Sequence, residues 1–108
     1  MKLIKCILRP EKLDDIVRAL QPLSSGLTVW EVRGRGRQRA RAATYRGTRY
    51  ELLLPKIMLE IAATNERVDE IVRVLMETAR TGEIGDGRVL IHDIETVYHV
   101  RTGFMDCD

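Results

Sequence analysis

The chain has little with which to cross a membrane, stack on nucleic-acid bases or cross-link itself. Among its 108 residues no apolar run approaches the roughly 20 residues that span a bilayer. Met1-Lys2-Leu3-Ile4-Lys5 begins no signal-peptide hydrophobic region, so the expected location is the cytoplasm. Aromatic residues are scarce: one Trp, three Tyr and one Phe. The Arg/Lys-Gly-Phe/Tyr signature of base-stacking modules is absent as well, which weighs against an RNA-binding module. The two cysteines stand at opposite ends, Cys6 in an apolar stretch and Cys107 in a polar tail, and neither a disulfide nor a metal site is expected from them. No nucleophile–base pair is visible. His92 and His99 are seven residues apart, which on one continuous strand puts them on opposite faces. The sequence therefore reads as a binding protein, not an enzyme.

What is present is ordinary in amount and uneven in placement. With 44% hydrophobic and 31% charged residues, the chain has the composition of one globular domain with a single modest core. The net charge of +2 conceals a segregation. From Arg33 to Arg49 there are seven arginines and no acid, so the other 11 basic residues face all 16 acids and the remainder carries −5. A block of like charge resists collapse. Residues 37–54 are accordingly read as an extended, aperiodic insertion, the kind of long uncovered loop that carries function.

The chain also repeats itself. Leu13-Asp14-Asp15-Ile16-Val17-Arg18-Ala19-Leu20 returns 55 residues later as Val68-Asp69-Glu70-Ile71-Val72-Arg73-Val74-Leu75, with five of eight positions identical. In both copies the apolar residues share one helical face, and the acids of the first turn meet the positive end of the helix dipole. Pro10 and Asn65 are helix-start signals, and Gly26 and Gly82 follow the helical patterns. Alternating or apolar runs flank each helix, at Lys2–Leu8 and 27–32, then at 56–63 and 88–91. Two βαβ units of this kind predict an α+β, ferredoxin-like double βαβ with both helices on one face of a four-stranded sheet. Residues 96–100 alternate too and predict a short extra strand. The bare face of the sheet, with apolar residues among Leu3, Cys6, Val29 and Met58, predicts an oligomer. Leu27 and Trp30 are read as packing residues.

Two glycine/arginine stretches carry the chemistry. Thr81-Gly82-Glu83-Ile84-Gly85-Asp86-Gly87-Arg88 places three glycines in six residues. Free backbone N–H groups in such a turn can form an anion nest, and Arg88 and Arg101 supply guanidinium groups suited to phosphate. A tight turn between helix and strand would account for this segment alone. Gly34-Arg35-Gly36-Arg37-Gln38 has the same chemistry, however, and the pair points to one anionic ligand held from two sides.

In this order, Gly34-Arg35-Gly36-Arg37-Gln38, Tyr45-Arg46-Gly47, Tyr50, Leu54-Pro55-Lys56, Thr81-Gly82, Ile84-Gly85-Asp86-Gly87 and Arg101-Thr102-Gly103 resemble the PII signal-transduction family of nitrogen regulatory proteins. The likeness runs from Met1 to about Gly103 and describes one domain, 1–108. Its parts are a T-loop (37–54) between strands 2 and 3, a Gly-rich B-loop (81–88) and a C-terminal segment (101–108). The resemblance implies a homotrimer that binds ATP or ADP in clefts between subunits. It also implies that 2-oxoglutarate is sensed together with Mg-ATP, and that the T-loop docks on a target such as an ammonium channel or a nitrogen-metabolism enzyme.

By the same resemblance, Gly34, Gly36, Arg37 and Gln38 meet the phosphates from one subunit, and Gly85, Asp86, Gly87, Arg88 and Arg101 meet the nucleotide from its neighbour. Thr28, Glu60 and Ala62 line the adenine and ribose, Gln38 ligates Mg²⁺, and Lys56, with Gln38 and Ala40, holds 2-oxoglutarate. Tyr50 matches a modification site, and Arg41, Arg46 and Arg49 form the partner-binding tip. The chain departs from the family pattern at several positions. His99 stands where an arginine is common, Arg88 replaces a lysine, and Ala40 stands where a glycine follows the Gln loop. Thr48-Arg49 replaces a small-acidic pair, and the tail is atypical. The Gly-Arg-Gly run and Val97-Tyr98-His99-Val100-Arg101 resemble the nitrogen-fixation-regulator branch. A PII-like sensor answering to AMP, ADP or bicarbonate instead of 2-oxoglutarate is the alternative these departures leave open.

Overall fold

The computed structural model describes residues 1–24, 26–36, 42–51 and 53–105. Strands β1 (Lys2–Leu8), β2 (Thr28–Gly34), β5 (Leu54–Ala63) and β6 (Arg88–Asp93) make one sheet in the order β2-β5-β1-β6. Every neighbouring pair in it is antiparallel. Helices α1 (Leu13–Leu20) and α2 (Val68–Ala79) connect β1 to β2 and β5 to β6, which completes the ferredoxin-like topology expected from the repeat. The repeat is structural as well as textual. Short 3-10 turns at Pro10–Lys12 and Asn65–Arg67 precede the helices at the same 55-residue offset, with Pro10 at the opening position of the first. Acids stand in the first turn of both helices.

Alternation along the strands decides the layers. Ile4, Cys6 and Leu8 of β1 and Ile57, Leu59, Ile61 and Ala63 of β5 point toward the helices. There they meet Ile16, Leu20, Val68, Ile71, Leu75 and Ala79 in one buried cluster. Fully burying side chains of this size contributes about 1.5–3 kcal/mol each, and truncating Leu75 to Ala would cost about 2–5 kcal/mol. Cys6 and Val29 belong to this covered layer, so of the four residues expected on the bare face only Leu3 and Met58 lie there. The reason is register: Cys6 faces Leu59, and Val29 faces Leu59 from the other side. Leu27 packs against the core as expected. Trp30 does not: it is paired with Met58 on the open face and is 45% exposed.

Two further readings are corrected. Residues 96–100 form no strand; an isolated bridge joins Tyr98 to Met105, and a turn lies between them. His99 donates its backbone N–H to the Phe104 carbonyl at 3.0 Å, so it does not continue the strand of His92, which ends at Asp93. Nor is the arginine-rich insertion aperiodic throughout. Ala42–Tyr45 (β3) and Thr48–Glu51 (β4) pair as a hairpin, turned by Arg46 (φ 50°) and Gly47 (φ 78°). Two consecutive positive-φ residues make the two-residue turn whose twist suits a hairpin. A run of like charge thus does not forbid a hairpin here. No helix among the described residues is long and apolar enough to cross a membrane.

Candidate functional site

The topology brings the two glycine-bearing loops to one end of the sheet. β2 ends there, since Gly34 pairs with Leu54, and β6 begins there, since Arg88 pairs with Ile7. Two strands separate them, so the loops stand about 14 Å apart, three inter-strand spacings. Between them lies a cleft of about 730 Å³, lined by Gly34, Arg35 and Gly36 on one side and by Glu83, Ile84, Gly85, Asp86, Gly87 and Arg88 on the other, with Lys56 at its floor. Both loops line this cleft from one and the same chain, where the resemblance divided them between neighbouring subunits.

The 81–88 loop is held by side chains from within and from below. The Asp86 carboxylate accepts the backbone N–H groups of Thr81 (2.8 Å) and Gly82 (2.9 Å), together with the Thr81 hydroxyl. Arg9 Nε donates to the same carboxylate at 3.1 Å. The Thr81 hydroxyl and amide hold the Asp86 carboxyl far below the ordinary carboxylate range, and Gly82 and Arg9 add to this. The Asp86 side chain is thus spent on the loop's own geometry. Arg9 Nη2 also donates to the Ile84 carbonyl (2.9 Å), and Lys56 Nζ donates to the Gly85 carbonyl (2.8 Å). Desolvation, followed by the nearby Arg9 charge, lowers the Lys56 pKa, while Glu11 and Asp86 oppose the change.

Gly87 fits this loop because nothing else would. Its φ is 99°, and a Cβ would fall 1.6 Å from the Ile7 carbonyl oxygen. Arg9 was not marked by the sequence. It stands 77 residues from Asp86, and no local pattern links an arginine after β1 to a loop after α2.

Other expected site residues lie elsewhere. Thr28 pairs with Glu60, and Ala62 follows two positions along β5. All three sit at the opposite end of the open face. Six residue steps along β2 take Thr28 to Gly34, roughly 20 Å. Glu60 is also 3.7 Å from Lys5 Nζ. Arg101 lies in an exposed turn outside the cleft lining. That turn is closed by Gly103 N–H donating to the His99 carbonyl at 2.8 Å. Around it, Tyr98, Val100, Phe104 and Met105 are exposed. Arg46 is exposed at the hairpin turn, and Arg49 and Tyr50 lie on β4, opposite Thr44 and Ala43. The expected ligands Arg37, Gln38 and Ala40, and Arg41 of the tip, lie outside the described residues, as does Cys107. Among the described residues no group of His, Cys, Asp and Glu could hold a metal. Cys6 is a buried free thiol whose pKa burial pushes up to about 11.

Comparison with known proteins places this ferredoxin-like chain in a family. The model of the family "Nitrogen regulatory protein P-II" matches residues 1–104. The chain belongs to the P-II family. It is 47% identical over 105 residues to the nitrogen regulatory protein P-II of Pasteurella multocida, covering 95% of this chain and 94% of that one. It is 46% identical over 105 residues to nitrogen regulatory protein P-II 2 of Methanothermobacter thermautotrophicus, covering 95% and 91%. To the nitrogen regulatory protein GlnK of Escherichia coli K12 it is 40% identical over 108 residues, covering 98% and 96%. P-II proteins are signal-transducing regulators, and this chain is a regulatory protein of nitrogen metabolism, not an enzyme.

Proposed function

We propose that this P-II protein senses adenine nucleotides in the cleft between its two glycine-bearing loops and reports their state through the 37–54 segment. The observation that carries this reading is the cleft itself, in which the Gly34–Gly36 backbone faces the 85–88 backbone across a space of about 730 Å³ with Lys56 below. Phosphates of ATP or ADP would lie on the 85–87 backbone and Arg88, with Arg37 and Gln38 closing from the other loop and Gln38 holding Mg²⁺ when ATP is bound.

Thr28, Glu60 and Ala62 are roughly 20 Å from these loops within one chain, so a single nucleotide can reach both sets only where two copies meet. The exposed Trp30, Tyr98, Val100 and Phe104 supply apolar surface for that contact, in keeping with a homotrimer in which Arg101 comes from the neighbour. 2-Oxoglutarate would join Mg-ATP at Gln38, Ala40 and Lys56. The target, an ammonium channel or a nitrogen-metabolism enzyme, would meet the 37–54 segment of this cytoplasmic protein through Arg41, Arg46 and Arg49, with Tyr50 as a possible modification site.

Calorimetry with ATP, ADP and AMP tests the core of this reading; no binding of any of them at millimolar concentration overturns it. Arg101→Ala is expected to weaken ATP by about 1.5–3 kcal/mol, the range of a charge-assisted hydrogen bond. Reversing Arg46 and Arg49 to Glu is expected to abolish target docking while ATP affinity stays within about threefold, roughly 0.65 kcal/mol. A second reading, a sensor that answers to AMP, ADP or bicarbonate and not to 2-oxoglutarate, is favoured by Ala40 and His99 and by the engagement of Lys56 with the Gly85 carbonyl. ATP affinity measured with and without 2-oxoglutarate and Mg²⁺ separates the two. Coupled ligands must raise each other's affinity equally, so an unchanged value selects the second.

A further inference from the structure

Arg9 is not itself among the residues that line the cleft, yet it is the cation most engaged with the glycine loop. Its Nη2 holds the Ile84 carbonyl at 2.9 Å and its Nε holds the Asp86 carboxylate at 3.1 Å, while Lys56 Nζ takes the Gly85 carbonyl between them at 2.8 Å. Three consecutive loop residues are therefore tied to basic groups outside the loop.

The consequence follows from peptide geometry. The peptide bonds here are trans, and in a planar trans peptide the N–H points opposite to the C=O. Drawing the Ile84 carbonyl onto Arg9 turns the Gly85 N–H away from it. Drawing the Gly85 carbonyl onto Lys56 does the same for the Asp86 N–H. Neither amide has a hydrogen-bond acceptor among the described residues, and both residues line the cleft. The Asp86 carboxylate, which would repel an anion, is turned back into the loop by Thr81, Gly82 and Arg9.

We propose that Arg9 is a positioning residue for the anion site: by holding the Ile84 carbonyl it presents the Gly85 amide, beside the Asp86 amide that Lys56 turns, to a bound phosphate that it does not itself touch, and it keeps the Asp86 carboxylate drawn back into the loop. The inference rests on the nucleotide reading above. It gives Arg9 a role distinct from that of Arg88, whose guanidinium would meet phosphate directly. Arg9 acts through short contacts, so its effect persists in salt, whereas simple attraction by a distant charge is screened within a Debye length, about 8 Å at physiological ionic strength.

The test uses the full chain, with ATP and inorganic triphosphate as probes, at low salt and at 0.5 M salt (roughly 4 Å of screening length). Arg9→Met is expected to bind both probes about tenfold more weakly than the unmodified protein at either salt, with an unchanged thermal midpoint. The shifts of the Gly85 and Asp86 amide resonances on adding triphosphate should be largely lost, and Arg9→Lys should restore part of the affinity. Asp86→Asn, which removes the charge that Arg9 holds, should weaken binding in the same direction, by about threefold. Should Arg9→Met fail to fold, Asp86→Asn decides alone. Affinities within twofold of the unmodified protein, unaltered amide shifts, or a loss that disappears in 0.5 M salt would overturn the inference. If the unmodified protein binds neither probe, the nucleotide reading fails first and this inference with it.

Discussion

The two glycine-bearing loops look alike in sequence and are built on different grounds. At Gly87 a side chain is excluded by the protein itself: φ is 99°, and a Cβ would lie 1.6 Å from the Ile7 carbonyl oxygen and 2.7 Å from its carbon. At Gly34 and Gly36 a Cβ would meet nothing within 4 Å. One loop is pressed onto the central strand at Gly87 and braced by Asp86, Arg9 and Lys56, whereas the other leaves open space beside its glycines. A glycine can thus be required by packing, and the surroundings of its Cβ show where that is so.

Gly87→Ala is expected to have the largest effect. The clash is with the backbone of a central strand and cannot be relieved by a rotamer change, and the positive φ adds strain. A stability loss of about 3 kcal/mol or more is expected in urea unfolding. Gly36→Ala should cost no more than about 0.5 kcal/mol of stability, while nucleotide affinity falls wherever the backbone must approach the ligand. If the two variants lost equal stability, the contrast between the loops would collapse.

Asp86 sharpens the comparison through pH. Its folded pKa lies below the ordinary carboxylate value of 3.8. The unfolded chain therefore binds the proton more readily, and the stabilisation is fully present above pH 3.8 and lost as pH falls through the lower folded value. Amide exchange at Thr81 and Gly82 should accelerate over that acid window in the unmodified protein. In Asp86→Asn it should lack this dependence, already being faster at neutral pH. The smallest effect concerns Cys6, whose thiol is raised to about 11, leaving a thiolate fraction of about one in a thousand at pH 8. Peptide-resolved alkylation should find Cys6 protected in the native protein. It should find it more reactive in Gly87→Ala, because the displaced strand carries Cys6 next to Ile7.

Much of the architecture was legible along the chain. The 55-residue repeat and its flanking apolar runs specify two βαβ halves, because helix and strand periods are local properties of a sequence. The core face of β5 follows from simple alternation of Ile57, Leu59, Ile61 and Ala63. The errors arose where local pattern is blind to partners. Cys6 and Val29 are apolar and could serve either face; the shared register with Leu59 assigns them to the core. The alternation at 96–100 has no strand beside it and closes instead as a turn. The hairpin at 42–51 was hidden by its charge, although Arg46-Gly47 carried the signal for its turn.

The sequence by itself determined the two repeated halves, the glycine-bearing loops and the segregation of arginine, since each depends on residues adjacent in the chain. Tertiary structure decided that Arg9, 77 residues from Asp86, braces the loop after α2, that both loops border one cleft, and that Thr28, Glu60 and Ala62 lie away from it at the other end of the open face. These are consequences of strand order. An antiparallel sheet in the order β2-β5-β1-β6 puts the end of β2 and the start of β6 at the same end of the sheet, on its two opposite edges, and that arrangement is encoded only in how the strands pair.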